Sequence, residues 1–331
     1  MEARPAEDIL ESDLYPRQER VLDETTDSGS IRLRLMQWNI LADVLCYGFP
    51  MVPKGYLQKD YRLPMILQEI EDSADEVDGK KSLPALILLQ EVDMVDDIYT
   101  GINSLSKETY GEFEYSYEFI PKTGDHNDGL CLLYDTEQYK ALYIKKDHYR
   151  GPIGDCKSDR VYLMILFEHI ESQKKLVACT LHLKSKPHNR KIRAREITEY
   201  MCKLGEFCHE IEEQEHIPKG EGKNLPIIVA GDFNDEPESP IIQTLFDTDI
   251  TNGIKFECAY QVDGEFPEFT TYKIRRIGEI IKHTIDYTFH NQYAKVKSIR
   301  EMPKEEDIPE IGNPSHRCAS DHFSSAVTFE F

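Results

Sequence analysis

Four apolar residues, Ile227, Ile228, Val229 and Ala230, run directly into Gly231, Asp232, Phe233 and Asn234. The run is short, β-branched and preceded by Pro226, so it reads as a buried strand that stops where the glycine lets the backbone turn. Residues two apart on extended chain project to the same side. Asp232 and Asn234 are therefore presented together at a strand end, where open α/β sheets gather their chemistry. A strand-ending Asx turn would use the same residues with no function attached, so the rest of the chain must decide.

The same arrangement recurs along the chain. Residues 31–41 alternate Ile31, Leu33 and Leu35 against Arg32 and Arg34, and deliver Asn39 to a strand end. Residues 84–92 form a continuous apolar run with Glu91 at its end, the pattern of a strand covered on both faces. A carboxylate is costly to bury alone, so Glu91 should meet a metal or a cation; otherwise it opens the next helix, where an acid suits the dipole. Residues 175–183 deliver His182, then Lys184 and Lys186. Residues 283–289 read as one strand with Asp286 inside it, and residues 315–331 bring Ser320, Asp321 and His322 ahead of an alternating terminal strand.

Between these lie other elements. Helical spacing marks residues 61–77 and 195–211, and residues 240–246 begin a third helix. Residues 115–134 read as two strands around a polar loop preceded by Lys122, with further strands over 139–150 and 162–170. Residues 270–276 are an extended basic stretch holding Lys273 and Arg275, and residues 186–195 hold the densest basic cluster, including Arg193. Such a charge run is ordinarily a solvated helix face. Residues 1–30, charged and without period, read as a poorly ordered acidic lead-in. With no repeat and no linker, a single catalytic domain over residues 31–331 is expected.

Composition narrows the classes. With 331 residues and 40% apolar content the chain can bury a sizeable core, and no apolar run nears the ~18 residues of a membrane span. Lys+Arg 39 against Asp+Glu 61 gives a net charge of −22, which disfavours a general RNA binder because phosphate backbones need clustered cations. A small anion in a locally basic pocket is still admitted. Eight cysteines without a Cys-x-x-Cys pair fit reduced thiols better than disulfides or zinc. The acidic N-terminal residues fit neither a signal nor a transit peptide, so a cytoplasmic monomer is expected, with a mitochondrial isoform left open.

Asn39, Glu91, His182, Asp232, Asn234, Asp286, Asp321 and His322 together are carboxylates, amides and imidazoles. Hard oxygen ligands of this kind suit Mg²⁺ or Mn²⁺ rather than zinc. Phosphate-ester hydrolysis uses such a set: a metal, an oriented water, and donors on the phosphoryl oxygens. A histidine acting as acid or base needs an orienting acid, and Asp286 is the candidate for His322.

Six blocks carry a family resemblance: Gln37-Trp38-Asn39-Ile40-Leu41-Ala42, Leu89-Gln90-Glu91-Val92, Thr180-Leu181-His182-Leu183-Lys184, Gly231-Asp232-Phe233-Asn234, His283-Thr284-Ile285-Asp286-Tyr287 and Ser320-Asp321-His322. In this order they resemble the endonuclease/exonuclease/phosphatase superfamily, in its deadenylase-type branch. The resemblance implies a DNase I-like four-layer α/β sandwich, two packed, mainly antiparallel sheets flanked by helices, in place of an open doubly wound sheet. It implies that Glu91 is the principal Mg²⁺ ligand, with Asn39 close by. Asp232 and Asn234 would position the attacking water and hold the phosphate, and His182 would contact the transferring phosphoryl oxygens. Asp286 would orient His322, and Asp321 would complete the metal or histidine network. The motifs leave open which residue takes the water's proton, with Asp232 favoured.

The likeness within the branch further implies a small-molecule substrate, NADP⁺ or NADPH, losing its 2′-phosphate to give NAD⁺ or NADH. Lys122, Lys184, Lys186 and Arg275 match the substrate cations, with Arg193 and Lys273 beside them. Lys186 stands where an arginine is expected, exchanging a bidentate fork for a point charge, and Tyr272 stands where a tryptophan is expected. Two alternatives differ in what they require. A poly(A) 3′-exoribonuclease must hold several phosphates and stack several bases. A non-catalytic adaptor on the same fold should have lost motif residues, and all are present.

Overall fold

The computed structural model describes residues 14–25, 27–77, 80–107, 111, 114–124, 127–150 and 157–331. In chain order its strands are β1 (Glu19–Val21), β2 (Arg32–Asn39), β3 (Asp75–Val77), β4 (Lys80–Ser82), β5 (Leu86–Val92), β6 (Tyr115–Pro121), β7 (Gly129–Asp135), β8 (Tyr139–Arg150), β9 (Lys157–His169), β10 (Lys175–His182), β11 (Ile227–Asp232), β12 (Phe256–Cys258), β13 (Thr271–Arg276), β14 (Glu279–His283), β15 (Asp286–Asn291), β16 (Lys295–Arg300) and β17 (Ser325–Glu330). The α-helices are α1 (Lys59–Asp72), α2 (Val95–Leu105), α3 (Arg190–Gln214) and the short α4 (Pro240–Gln243).

Two sheets form the body. One has seven strands in the order β1-β16-β17-β2-β5-β7-β6, the other six in the order β12-β15-β11-β10-β9-β8. Each holds one parallel pair, β2 with β5 and β10 with β11, and its other pairs are antiparallel. Alternation along the central strands builds the layers. Leu33 and Leu35 of β2 and Leu86 and Leu88 of β5 join the core shared with the second sheet. Met36, Trp38, Ile87 and Leu89 pack instead with Met65 and Ile66 of α1 and Ile98 of α2. On the far side, Ile197, Tyr200, Leu204 and Phe207 of α3 belong to the first core. The layers therefore run helices, sheet, sheet, helix, which is the expected four-layer sandwich. Seven cysteines are unpaired; Cys156 lies outside the described residues.

Several elements differ from the sequence reading. The helix expected over 61–77 ends at Asp72, and the chain turns into the β3–β4 hairpin, where Arg32 grips the Asp75 carboxylate at 2.9 Å. The helix expected over 195–211 runs from Arg190 to Gln214. The single strand expected over 283–289 is broken between β14 and β15. Thr270 Oγ1 causes the break by accepting the N–H groups of Ile285 at 3.0 Å and Asp286 at 3.1 Å.

The poorly ordered lead-in over residues 1–30 does not extend to its described part; residues 1–13 lie outside the described residues. Strand β1 pairs with β16, and Leu14 and Tyr15 are buried. The Arg17 guanidinium donates to Glu69 at 3.1 Å and to the Ser324 hydroxyl and carbonyl, both at 2.8 Å. Arg300 meets the same Glu69 carboxylate at 2.7 Å. The anchors are tertiary partners far away in sequence, so no local period announces them.

Candidate active site

The two parallel pairs explain where the polar residues go. Asn39 and Glu91 end neighbouring parallel strands of one sheet, and His182 and Asp232 sit side by side at the ends of parallel strands in the other. Asn39 is on the same strand face as Leu35, and His182 on the same face as Thr180, both of which look into the gap between the sheets. Their antiparallel neighbours supply residues from strand starts instead: Asp286 opens β15 opposite Asp232, and His322 lies just ahead of β17. Beneath the site, Gln37 donates to Gln90 at 2.7 Å, and Gln90 reaches across the sheets to Thr180 at 3.0 Å.

Asp232 is the hub. Its carboxylate accepts from the Asn39 amide at 3.0 Å and the Asn234 N–H at 2.9 Å. It lies 3.5 Å from His182 Nε2 and 3.9 Å from His322 Nε2. Burial, reinforced by the Asp286 carboxylate, pushes the Asp232 carboxyl up to about 7. His322 Nδ1 is 2.9 Å from Asp286 Oδ2, which also accepts from Thr270 Oγ1 at 2.7 Å. Burial opposes the charged imidazole, but Asp286 and Asp321 outweigh it and raise His322 to about 10. His182 goes the other way: burial first, then the Lys122 and Arg160 cations, hold it well below its usual value. The same fold thus keeps one imidazole charged and the other neutral.

The cluster floors a cavity of about 770 Å³, lined among others by Glu91, Lys186, Arg193, Lys273 and Arg275. Four lining residues that are not glycine have a left-handed backbone: Leu41, Glu91, Lys186 and Asn234, with φ of 59°, 55°, 76° and 52°. Such backbones cost about 1–3 kcal/mol each and collect at functional sites.

The expected residues divide by their partners. Asp321 is bonded to Lys273 at 2.6 Å; burial opposes its charge, but Lys273 wins and lowers the carboxyl to about 2. Lys122 is paired with Asp128, and Lys184 with Asp159. Arg193 braces Asp235 at 3.0 Å and the carbonyls of Lys184 and Lys186. Asn234 turns its amide to the Leu183 carbonyl at 3.0 Å. Arg275 lies over the Phe49 ring and donates to the Gly48 carbonyl at 3.2 Å. Lys186 has no ion pair among the described residues. Asp235, Glu236 and His283 also line the cavity and were not anticipated as site residues; Asp235 and Glu236 directly follow Asn234, and His283 opens the block that carries Asp286.

Two groupings can hold a metal. Ligand atoms of Asp232, Asp286 and His322 lie within 4.8 Å of one another, but Asp286 and His322 already satisfy each other. Glu91 fits a cation better. Its carboxylate faces His182 Nε2 at 3.8 Å, opens on the cavity, and has no lysine or arginine partner among the described residues. His182 Nδ1 is itself buried with no hydrogen-bond partner among the described residues. A part-buried carboxylate with no lysine or arginine in ion-pair contact among the described residues is the feature a hard divalent ion corrects.

Two packed sheets with acids and imidazoles at one end of their central strands define the class: the chain has the fold of the endonuclease/exonuclease/phosphatase proteins and resembles their deadenylase-type branch. The particular likeness is to nocturnin: the chain is 29% identical to the protein of Rattus norvegicus over 336 residues, covering 96% of this chain and 70% of that one. Among solved structures, ANGEL2, described as a 2′,3′-cyclic phosphatase in complex with adenosine-2′,3′-vanadate, matches with a TM-score of 0.73 at 20% identity, over 96% of this chain and 99% of that one. An endonuclease/exonuclease/phosphatase from Bacteroides vulgatus matches at 0.62 and 19%, over 91% and 99%. No family model matches the chain. Among the described residues no helix is long and apolar enough to cross a membrane.

Proposed function

We propose that the protein is a Mg²⁺-dependent phosphatase that removes the 2′-phosphate of NADP⁺ and NADPH to give NAD⁺ and NADH. One observation carries the reading: Asp232 and His322, the latter held by Asp286, floor a cavity of small-molecule size whose wall bears Lys186 and Arg275. The likeness to nocturnin supports the choice of substrate.

Glu91, with Asn39 beside it, would hold the ion, which supplies charge neutralisation at the phosphoryl group. The chain's own residues do the rest. Asp232, poised near neutrality by burial, is placed to take a proton from water at its carboxylate. Asn39 and the Asn234 N–H keep that carboxylate in one orientation. His322 enters as a cation with Nδ1 fixed by Asp286, so Nε2 is the nitrogen offered to a phosphoryl oxygen. His182, kept neutral, presents Nε2 between Glu91 and Asp232 without adding a second positive charge. Lys186 and Arg275 meet the remaining phosphates of the dinucleotide. A net charge of −22 favours a compact anion over a long polyanion.

The test offers the purified protein NADP⁺, NADPH and 5′-labelled oligo(A) in parallel with Mg²⁺. Phosphate release from the dinucleotides with intact RNA supports the reading. Shortening of the RNA with untouched dinucleotides sinks it in favour of the exoribonuclease.

A further inference from the structure

Tyr47 is 81% exposed, yet the backbone that carries it is tied at both ends. It sits in a 3₁₀ turn, Asp43–Gly48. The buried Arg62 guanidinium holds the start of that turn through the Asp43 carboxylate at 2.6 Å, and the chain just ahead of it through the Ile40 and Leu41 carbonyls. Asp93 accepts from the Val44 N–H at 3.4 Å. On the cavity side, Arg275 bonds the carbonyl of Gly48, where a Cβ would lie 2.7 Å from the guanidinium. A tethered turn that faces its one large aromatic ring outward, with no ring partner among the described residues, is a surface prepared for something flat.

The position of the ring says what. Tyr47 lines the catalytic cavity and also an adjoining hollow of about 450 Å³ that contains Lys54 and Leu57. The cation next to it on the catalytic side is Arg275. The wall therefore holds acid and imidazole, and a guanidinium next to an exposed aromatic face. That set matches a phosphomonoester, a bridging diphosphate and a second nucleoside.

We propose that Tyr47 is the stacking platform for the nucleoside remote from the phosphate that is removed, so that the protein selects dinucleotides over mononucleotides. This rests on the phosphatase reading above. Stacking on an aromatic side chain tolerates different bases because every base offers a π-face.

The experiment compares KM for NADP⁺ and for adenosine 2′-monophosphate, which lacks the second nucleoside, in wild type, Tyr47→Ala and Tyr47→Phe. Wild type should have the lower KM for NADP⁺. Tyr47→Ala should raise KM for NADP⁺ about tenfold more than for the mononucleotide, and Tyr47→Phe should restore the preference. Tyr47→Ala that changes both KM values equally, or neither, overturns the platform and leaves the phosphatase standing. Wild type that cleaves the mononucleotide alone overturns the dinucleotide substrate and the platform together. Release from neither overturns the phosphatase itself. Because Tyr47 is so exposed, thermal unfolding should be unchanged in both variants, which separates recognition from folding.

Discussion

Nδ1 of His322 is 2.9 Å from the Asp286 carboxylate, and that carboxylate is in turn fixed by the Thr270 hydroxyl at 2.7 Å. The pair decides both the charge of the imidazole and which nitrogen faces the cavity. With its folded pKa raised to about 10, the charged form is fully present below the ordinary histidine range and is lost only as the pH rises through about 10. Activity that needs the cation should therefore fall on the alkaline side. Asp286→Asn should move that limb to lower pH and reduce kcat by about 10²–10⁴-fold. A pH–rate profile of the two proteins checks this; an unmoved alkaline limb counts against His322 as the charged group.

Glu91→Gln keeps the shape of the side chain and removes its charge. Turnover should drop by at least about 10³-fold, and divalent-ion binding measured calorimetrically should weaken. The fold should be unaffected, because among the described residues Glu91 forms no ion pair with a lysine or arginine that would be left alone. A thermal melt and a Mg²⁺ titration decide the point. Unchanged Mg²⁺ affinity with unchanged turnover would mean that the ion is held elsewhere.

Lys186 contributes a point charge from a left-handed backbone, free of any ion pair among the described residues. Lys186→Ala should raise KM for NADP⁺ roughly tenfold with kcat little changed. Lys186→Arg should keep the charge and improve the fit to a phosphate by adding a fork. An alanine variant with normal KM removes Lys186 from the binding set.

Glu69 stands between Arg17 and Arg300, all three side chains nearly buried. Burial opposes its charge, but Arg300 and Arg17 outweigh that and lower the carboxyl below its ordinary 4.5. A depressed folded pKa gives stability that is present above the ordinary value and lost as the pH falls through the folded one. Denaturant titrations should show the loss beginning below about 4.5 in the wild type. Glu69→Gln leaves two arginines facing no charge, and should cost about 3 kcal/mol at neutral pH.

The layers and the site were readable in the sequence to different depths. Leu33, Leu35, Met36 and Trp38 declare the two faces of β2 by simple alternation, and the motif residues declare a strand end. Both signals are local. What could not be read was who meets whom. Lys122, Lys273 and Arg193 look like free substrate cations in one dimension, but the fold supplies Asp128, Asp321 and Asp235 as their partners. Charge is written in the residue; its neutralisation is a tertiary fact. The same holds for residues 14–25, whose anchors Tyr15 and Arg17 look like members of a polar tail until Phe323, Glu69 and Arg300 come within reach. Asp286 was visible, but not the break in front of it, because the Thr270 hydroxyl that makes the break acts from outside the segment.

Strand β2 has β5 on one side and β17 on the other, with Arg32 opposite Glu330. During synthesis one flank is filled early, while the other waits for some 286 further residues, from position 39 to 325. At ordinary elongation speeds the wait lasts roughly fifteen seconds to a minute. Throughout it, the nascent protein carries an open hydrogen-bonding edge at the heart of its larger sheet. It also carries Asn39 and Glu91 without His322, so the emerging polypeptide acquires its chemistry only when the sheet closes.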